Sequence, residues 1–328
     1  MSGVKCIGKK IATIICFLTV LTFGGCGRLA YSQPYSVDGG FVTARYGVQE
    51  SGAKVETFAS GLCVTDEDVM PLSVDASASG TAALFDVRNK TVLYAKSVHE
   101  RMYPASLTKV MTAIVAIENG SLDQILTTTE AVKITEAGAA KAGLKTGDTM
   151  TLDQALHILL LASSNDVALL IADNIGGSVD HFIEMMNEKA RELGATNTHF
   201  SNPHGLTAPD HYTTAYDMYL IFNQAIKYDT FNQIINMSSY QTTYYDKNGK
   251  EIPYSCGTTN RYLKGQNNPP ENITVLGGKT GTTNAAGHCL ILHSKDIRGN
   301  SYISIVMRCQ DSDTLYAEMT DLLEEINN

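Results

Sequence analysis

No CxxC pair occurs in the chain, and no His or Cys spacing matches a zinc site. Of seven cysteines, Cys6 and Cys16 fall in an N-terminal apolar segment and Cys26 just after it, which leaves Cys63, Cys256, Cys289 and Cys309 for the rest. A disulfide framework is not expected, because a domain of this size can hold itself together by its core. Cys289, within His288-Cys289-Leu290-Ile291-Leu292, reads as a small buried hydrophobe. Clustered Lys and Arg are also missing, and the formal net charge is -9. That balance excludes nucleic acid and an anionic membrane surface as main partners, since binding phosphates needs a basic patch. His199, His204 and His211 are spaced wrongly for an HExxH helix and read as structural residues. No metal and no cofactor is expected.

What the sequence does contain is a globular composition, 44% hydrophobic and 18% charged over 328 residues, enough for one large domain or two modest ones. Lys5, Lys9 and Lys10 precede an uncharged apolar run of 13 residues, Ile11 to Phe23, which is short for a bilayer-spanning helix of about 20 residues and fits a signal segment. Residues 1–26 are therefore expected to be a signal peptide or N-terminal anchor. Phe23-Gly24-Gly25-Cys26 resembles the lipobox of bacterial lipoproteins, apart from Phe23 and Gly24 at positions where other residues are commoner. Lipidation at Cys26, cleavage a few residues later and retention as an anchor all remain open. Each places the protein outside the cytoplasm, at the extracytoplasmic membrane face or in the cell wall. Residues 27–77 lose clear periodicity and are rich in Gly, Ser, Ala and Val, as expected of a spacer.

Ordered structure is expected over 78–328. Ala82-Ala83-Leu84-Phe85-Asp86-Val87 and Thr91-Val92-Leu93-Tyr94-Ala95, separated by a short polar turn, read as a β-hairpin. Thr151-Leu152-Asp153-Gln154 reads as a capping box that opens an apolar helix ending near Ala162. Further helices are predicted over 166–176, 178–193 and 314–326, and strands over 273–276, 289–292 and 302–307. Strands at both ends with helices between them imply one sheet whose first and last strands are neighbours, with helices packed beside it.

Between the hairpin and the helical block lies Tyr103-Pro104-Ala105-Ser106-Leu107-Thr108-Lys109. Pro104 suits a helix start, and Val110, Met111, Ile114, Val115 and Ile117 continue with helical spacing until Asn119-Gly120. Residues three apart share a helix face, so Ser106 and Lys109 can act as nucleophile and base, with Ser106 near a helix N-terminus that favours negative charge. An N-capping serine beside a surface lysine would give the same spacing. Two more short motifs follow in order: Ser163-Ser164-Asn165 in a turn between helices, and Lys279-Thr280-Gly281 after a strand. Lys145-Thr146-Gly147 also spells KTG, but it precedes the SxN motif in a polar turn and reads as a turn only.

SxxK, SxN and KTG in this order resemble the penicillin-binding proteins and serine β-lactamases. Asn202-Pro203-His204-Gly205-Leu206, His211-Tyr212-Thr213-Thr214-Ala215-Tyr216-Asp217 and the extension of KTG through Gly287 are similar to the D-alanyl-D-alanine carboxypeptidases, the low-molecular-weight penicillin-binding proteins. The resemblance covers roughly Asp75 to the C-terminus. It implies an α/β fold of the DD-peptidase and serine β-lactamase type: an antiparallel sheet flanked by helices, plus a helical subdomain. It also implies roles. Ser106 is the expected nucleophile, Lys109 its base and Ser163 a proton relay, while Asn165, Lys279, Thr280, Gly281 and Thr282 are expected to hold substrate. The expected substrate is a peptidoglycan stem peptide ending in D-Ala-D-Ala, with β-lactams as covalent inhibitors. The membrane is expected to be contacted only through the N-terminus, because the chain stops soon after the last predicted helix.

Two alternatives stay open at this level. A class A β-lactamase is disfavoured by Ser163-Ser164-Asn165 in place of Ser-Asp-Asn and by the lack of an ExxLN segment. A non-hydrolytic peptidoglycan-binding or β-lactam-sensing homologue would share every motif. One departure concerns the substrate carboxylate: Leu315 aligns where relatives often carry an arginine, and either Arg308 replaces it or the carboxylate is bound more weakly.

Overall fold

A computed structural model describes residues 58–328, so the expected signal segment, Cys26 and most of the expected spacer lie outside the described residues. The described residues form two antiparallel sheets and seven α-helices. The larger sheet contains β1 (Thr81–Asp86), β2 (Thr91–Lys96), β7 (Ile273–Thr283), β8 (Gly287–Asp296) and β9 (Ser301–Cys309), in the order β2-β1-β9-β8-β7. The first and last strands do pair, with Leu84 opposite Ser304.

Every residue of β1 is buried, because both faces of the sheet are covered. Alternate side chains divide between two cores, as the period of two requires. Ala82 and Leu84 join Leu290, Leu292 and Val306 under the C-terminal helix, where Leu315, Met319, Leu322 and Leu323 meet them. Ala83 and Phe85 join Ile291, Ile303 and Ile305 against the helical block on the other face.

That block comprises α1 (Thr108–Asn119), α2 (Leu152–Leu161), α3 (Asn165–Ile175), α4 (Val179–Glu192), α5 (Ala215–Ala225) and α6 (Asp229–Ile235); α7 (Ser312–Glu324) closes the chain. The capping box at the start of α2 is formed: Gln154 N–H donates to Thr151 Oγ1 at 3.1 Å, and Thr151 N–H donates to Gln154 Oε1 at 2.9 Å. The Gln154 amide also reaches Thr242 Oγ1 at 2.6 Å and the Thr243 carbonyl at 2.8 Å. It thereby ties α2 to the smaller sheet, β3 (Ile125–Thr127), β4 (Thr149–Thr151), β5 (Ser239–Tyr245) and β6 (Glu251–Gly257).

Three features differ from the sequence reading. The folded domain begins some twenty residues earlier than 78: Cys63 N–H donates to Tyr219 Oη at 2.8 Å, Val69 bridges Ala95, and Val74 and Ala76 are buried. This segment is pinned by isolated contacts and so carries no period to read. The sequence predicts a single sheet, whereas there are two: the second, β3 to β6, and helices α5 and α6 were not anticipated. Finally, β7 runs on through Lys279-Thr280-Gly281 to Thr283, past a register shift between Val275 and Gly277 that interrupts the apolar pattern.

Candidate active site

Ser106 lies in a single 3₁₀ turn, Ala105–Leu107, that leads directly into α1. Ala105 is held at φ +47°, a left-handed conformation that costs an alanine about 1–2 kcal/mol. This bend places Ser106 at the floor of a cleft of 710 Å³ lined by Ser163, Asn165, Leu206 and the edge strand from Thr280 to Thr283. Lys109, one turn on, is fully buried. Its Nζ lies 2.8 Å from Ser106 Oγ, 2.7 Å from Asn165 Oδ1 and 2.5 Å from the His204 carbonyl oxygen.

Those three partners decide what Lys109 can do. As an ammonium it satisfies all three with its three N–H groups. As a neutral amine it still donates to Asn165 Oδ1 and the His204 carbonyl oxygen, atoms that can only accept, and its lone pair is left facing Ser106. The second state is accessible: burial first, and the Lys279 charge second, hold the Lys109 pKa well below the ordinary lysine range, with Asp166 opposing. An N-cap serine beside a surface lysine is therefore not what the chain builds.

Lys279 is also buried, and desolvation lowers its pKa to about 7. It donates to Ser163 Oγ at 3.0 Å and to the Thr280 carbonyl at 2.9 Å. Ser163 sits at φ +58° between α2 and α3, which turns its hydroxyl toward the sheet edge. Asp166 secures the other wall, accepting from the backbone N–H groups of Ala142, Gly143 and Leu144 at 2.9, 2.8 and 3.2 Å. Across the cleft, Gly281 passes so close to the nucleophile that an added Cβ would lie 3.0 Å from Ser106 N. Thr280 Oγ1 meets Thr259 Oγ1 at 2.5 Å, and Thr282 lines the cleft two residues on.

All eight residues singled out from the sequence thus converge on one site. Lys145-Thr146-Gly147 does not: Lys145 N–H bonds Asp148 Oδ2 at 2.9 Å and Thr146 bonds Glu130, as a turn requires. Leu315 is buried in a smaller recess that adjoins the cleft through Thr259, Thr280 and Thr282. Arg308 lies elsewhere, with its guanidinium 3.6 Å from Glu100 and its stem against Gly80, so it does not replace the missing arginine. Sequence reading missed Arg261 and Lys264, which line the recess beside Thr280. Arg261 is tethered by Asp313 Oδ1 at 2.6 Å and lies over the Tyr316 ring. No motif marks them, because the loop between β6 and β7 brings them in from outside the SxxK, SxN and KTG strings. Among the described residues, no group of three or more His, Cys, Asp or Glu side chains is arranged to hold a metal ion.

A family model described as D-alanyl-D-alanine carboxypeptidase matches residues 68–311. The chain belongs to that family. Members similar to it include D-alanyl-D-alanine carboxypeptidase DacF of Bacillus subtilis, 32% identical over 282 residues that cover 83% of this chain and 68% of the relative. D-alanyl-D-alanine carboxypeptidase DacC of Escherichia coli is 31% identical over 288 residues, covering 84% of this chain and 67% of the relative. Among solved structures, the Streptomyces K15 DD-transpeptidase superposes with a TM-score of 0.71 at 27% identity, over 77% of this chain and 98% of that one. The matched segment carries the complete cleft and both sheets, so the fold expected from the motifs is the fold observed.

Proposed function

We propose that this protein is a serine D-alanyl-D-alanine carboxypeptidase that removes the terminal D-alanine from peptidoglycan stem peptides through an acyl-Ser106 intermediate. The observation that carries this reading is the neutral-capable Lys109 amine 2.8 Å from Ser106 Oγ. The amine takes the Ser106 proton as Oγ attacks the penultimate carbonyl carbon. The oxyanion so formed is stabilised by backbone N–H groups, for which Ser106 and Thr282 are the candidates. Collapse of the tetrahedral species breaks the peptide C–N bond. The departing D-alanine amine takes the proton that Lys109 accepted, relayed by the Ser163 hydroxyl to which Lys279 donates, and Lys109 is left neutral again to serve the hydrolytic water. Water then hydrolyses the ester and returns Ser106 to its hydroxyl form.

Binding follows from the same geometry. The edge of β7 offers a template on which the extended substrate adds as a strand, while the Asn165 amide meets a substrate carbonyl from the opposite wall. For the terminal carboxylate, Lys279 and the Thr280 hydroxyl are supplemented by Arg261 and Lys264 in the adjoining recess. A β-lactam presents a carboxylate and a reactive carbonyl in a similar relation and acylates the same serine. The lysine-flanked apolar run at the N-terminus supports export, with attachment to the membrane at that end. The test is release of free D-alanine from a peptide ending in D-Ala-D-Ala. The wild-type protein is expected to turn it over and Ser106→Ala to release none; acylation without turnover would make the protein a sensor instead.

A further inference from the structure

The residues that hold Ser106 in place are as specific as those around its hydroxyl. His211, 1% exposed, lies behind the nucleophile in the loop before α5. Its Nδ1 is 2.9 Å from Ser201 N, which can only donate, so Nδ1 carries the lone pair. The proton must then sit on Nε2, which donates to Thr108 Oγ1 at 2.8 Å, and the Thr108 hydroxyl spends its own proton on the Ala105 carbonyl at 2.8 Å. One directed chain therefore runs from Ser201 N–H through the imidazole and Thr108 to the carbonyl preceding Ser106.

The Ser201 end matters equally. It opens a tight turn in which Asn202 Oδ1 accepts from Gly205 N at 2.7 Å. Gly205, at φ +90°, presses against the same carbonyl; an added Cβ would lie 1.9 Å from Ala105 O. The turn also presents the His204 carbonyl to Lys109 Nζ. His211 thus stands behind both the left-handed Ala105 and an acceptor of the base.

We propose that His211 is a positioning residue, which as a neutral imidazole locks the Ala105 carbonyl and the 201–205 turn together and so sets the distance between Ser106 and Lys109. It touches no substrate. Burial keeps its pKa down to about 4, with His199 and Lys109 acting in the same direction and Asp210 opposing; His204, which also faces it, is held to about 3. At neutral pH the chain is intact. A proton added to Nδ1 would set two donors face to face and break the bond to Ser201.

The inference rests on the acyl-enzyme reading, and its test separates the two. Penicillin acylation rates and D-alanine release are measured against pH for the wild type, His211→Asn, His211→Gln, Thr108→Val and Thr108→Ser. His211→Asn keeps an acceptor for Ser201 but cannot reach Thr108, and Thr108→Val removes the hydroxyl. Each is expected to slow acylation and kcat on the order of 10- to 100-fold with KM unchanged, the scale for a misplaced reacting group. Their double variant is expected to be no slower than the worse single, because both break one chain. Thr108→Ser, which restores the hydroxyl, is expected to recover most of the rate, whereas His211→Gln keeps the Nε2-type donor but loses the acceptor for Ser201 and is expected to stay slow. His211→Gln is also expected to lose the acid limb near pH 4. Wild-type rates in His211→Asn and Thr108→Val, or a loss confined to KM, would overturn the inference. Should His211→Asn fail to fold, the Thr108→Val and Thr108→Ser pair decides it by the same criterion. A wild type that penicillin does not acylate would overturn the functional reading and this inference with it.

Discussion

Gly281→Ala tests how closely the edge strand must approach the nucleophile. Gly281 does not need glycine for its backbone angle, since it is not among the residues at positive φ, so the substitution introduces contact and no torsional strain. Its new Cβ would sit 3.0 Å from Ser106 N, 3.1 Å from Ala105 Cβ and 3.1 Å from the Pro104 carbonyl oxygen. Carbon contacts settle at about 3.5–4.0 Å, so strand and 3₁₀ turn must part by about half an ångström. Every atom met is backbone or Cβ, and no rotamer change relieves the contact. A displacement of about 1 Å costs about 100-fold in rate, so half of that predicts about a tenfold loss, equivalent to about 1.4 kcal/mol of transition-state stabilisation. The assay is the second-order rate constant for acylation by a fluorescent penicillin, alongside kcat/KM for D-alanine release. A Gly281→Ala protein that acylates at the wild-type rate would refute the claim that this approach sets the geometry.

Lys279→Gln removes the cation that helps hold the Lys109 pKa down. That pKa should rise toward the ordinary lysine range, leaving less neutral amine at neutral pH. The ascending limb of acylation against pH should shift to higher pH, with partial recovery in alkaline buffer; an unmoved limb contradicts the coupling. Arg261→Ala is expected to raise KM for a D-Ala-D-Ala peptide about 10-fold or more, the scale of a lost charge-assisted hydrogen bond, while Arg308→Ala leaves KM within about twofold. The opposite ranking in a steady-state assay would return the carboxylate to Arg308. Glu318, a buried residue of α7, accepts from Ala78 N at 2.6 Å and Ser79 N at 3.0 Å at the entry to β1. Glu318→Ala should cost about 1–3 kcal/mol in urea unfolding by stranding the buried Ser79 N–H, and a loss well under 1 kcal/mol would show that the strand entry needs no such anchor.

The catalytic cluster was legible because its chemistry is local at each vertex. SxxK at a helix start places Ser106 and Lys109 on one face, and a capping box, Thr151 with Gln154, announces the helix that delivers Ser163. What the sequence hid was set by contacts distant along the chain. Cys63 is fixed by Tyr219, 156 residues away, so the start of the domain left no periodic trace. The paired glycines Gly277 and Gly278 broke the apolar pattern of β7 where the strand in fact continues into the site. Asn248-Gly249 between two alternating stretches did signal the β5–β6 hairpin, and Thr214 before Ala215 did signal α5. Arg261 had no signal at all, because its value comes from Asp313, Tyr316 and Thr280 meeting it in space.

The most direct test of Ser106 as a nucleophile served by Lys109 is intact-protein and peptide mass spectrometry after incubation with penicillin. One covalent adduct on the peptide containing Ser106 is expected, absent from Ser106→Ala and formed far more slowly in Lys109→Met. No adduct in the wild type, or an adduct on any other residue, would contradict the mechanism at its centre.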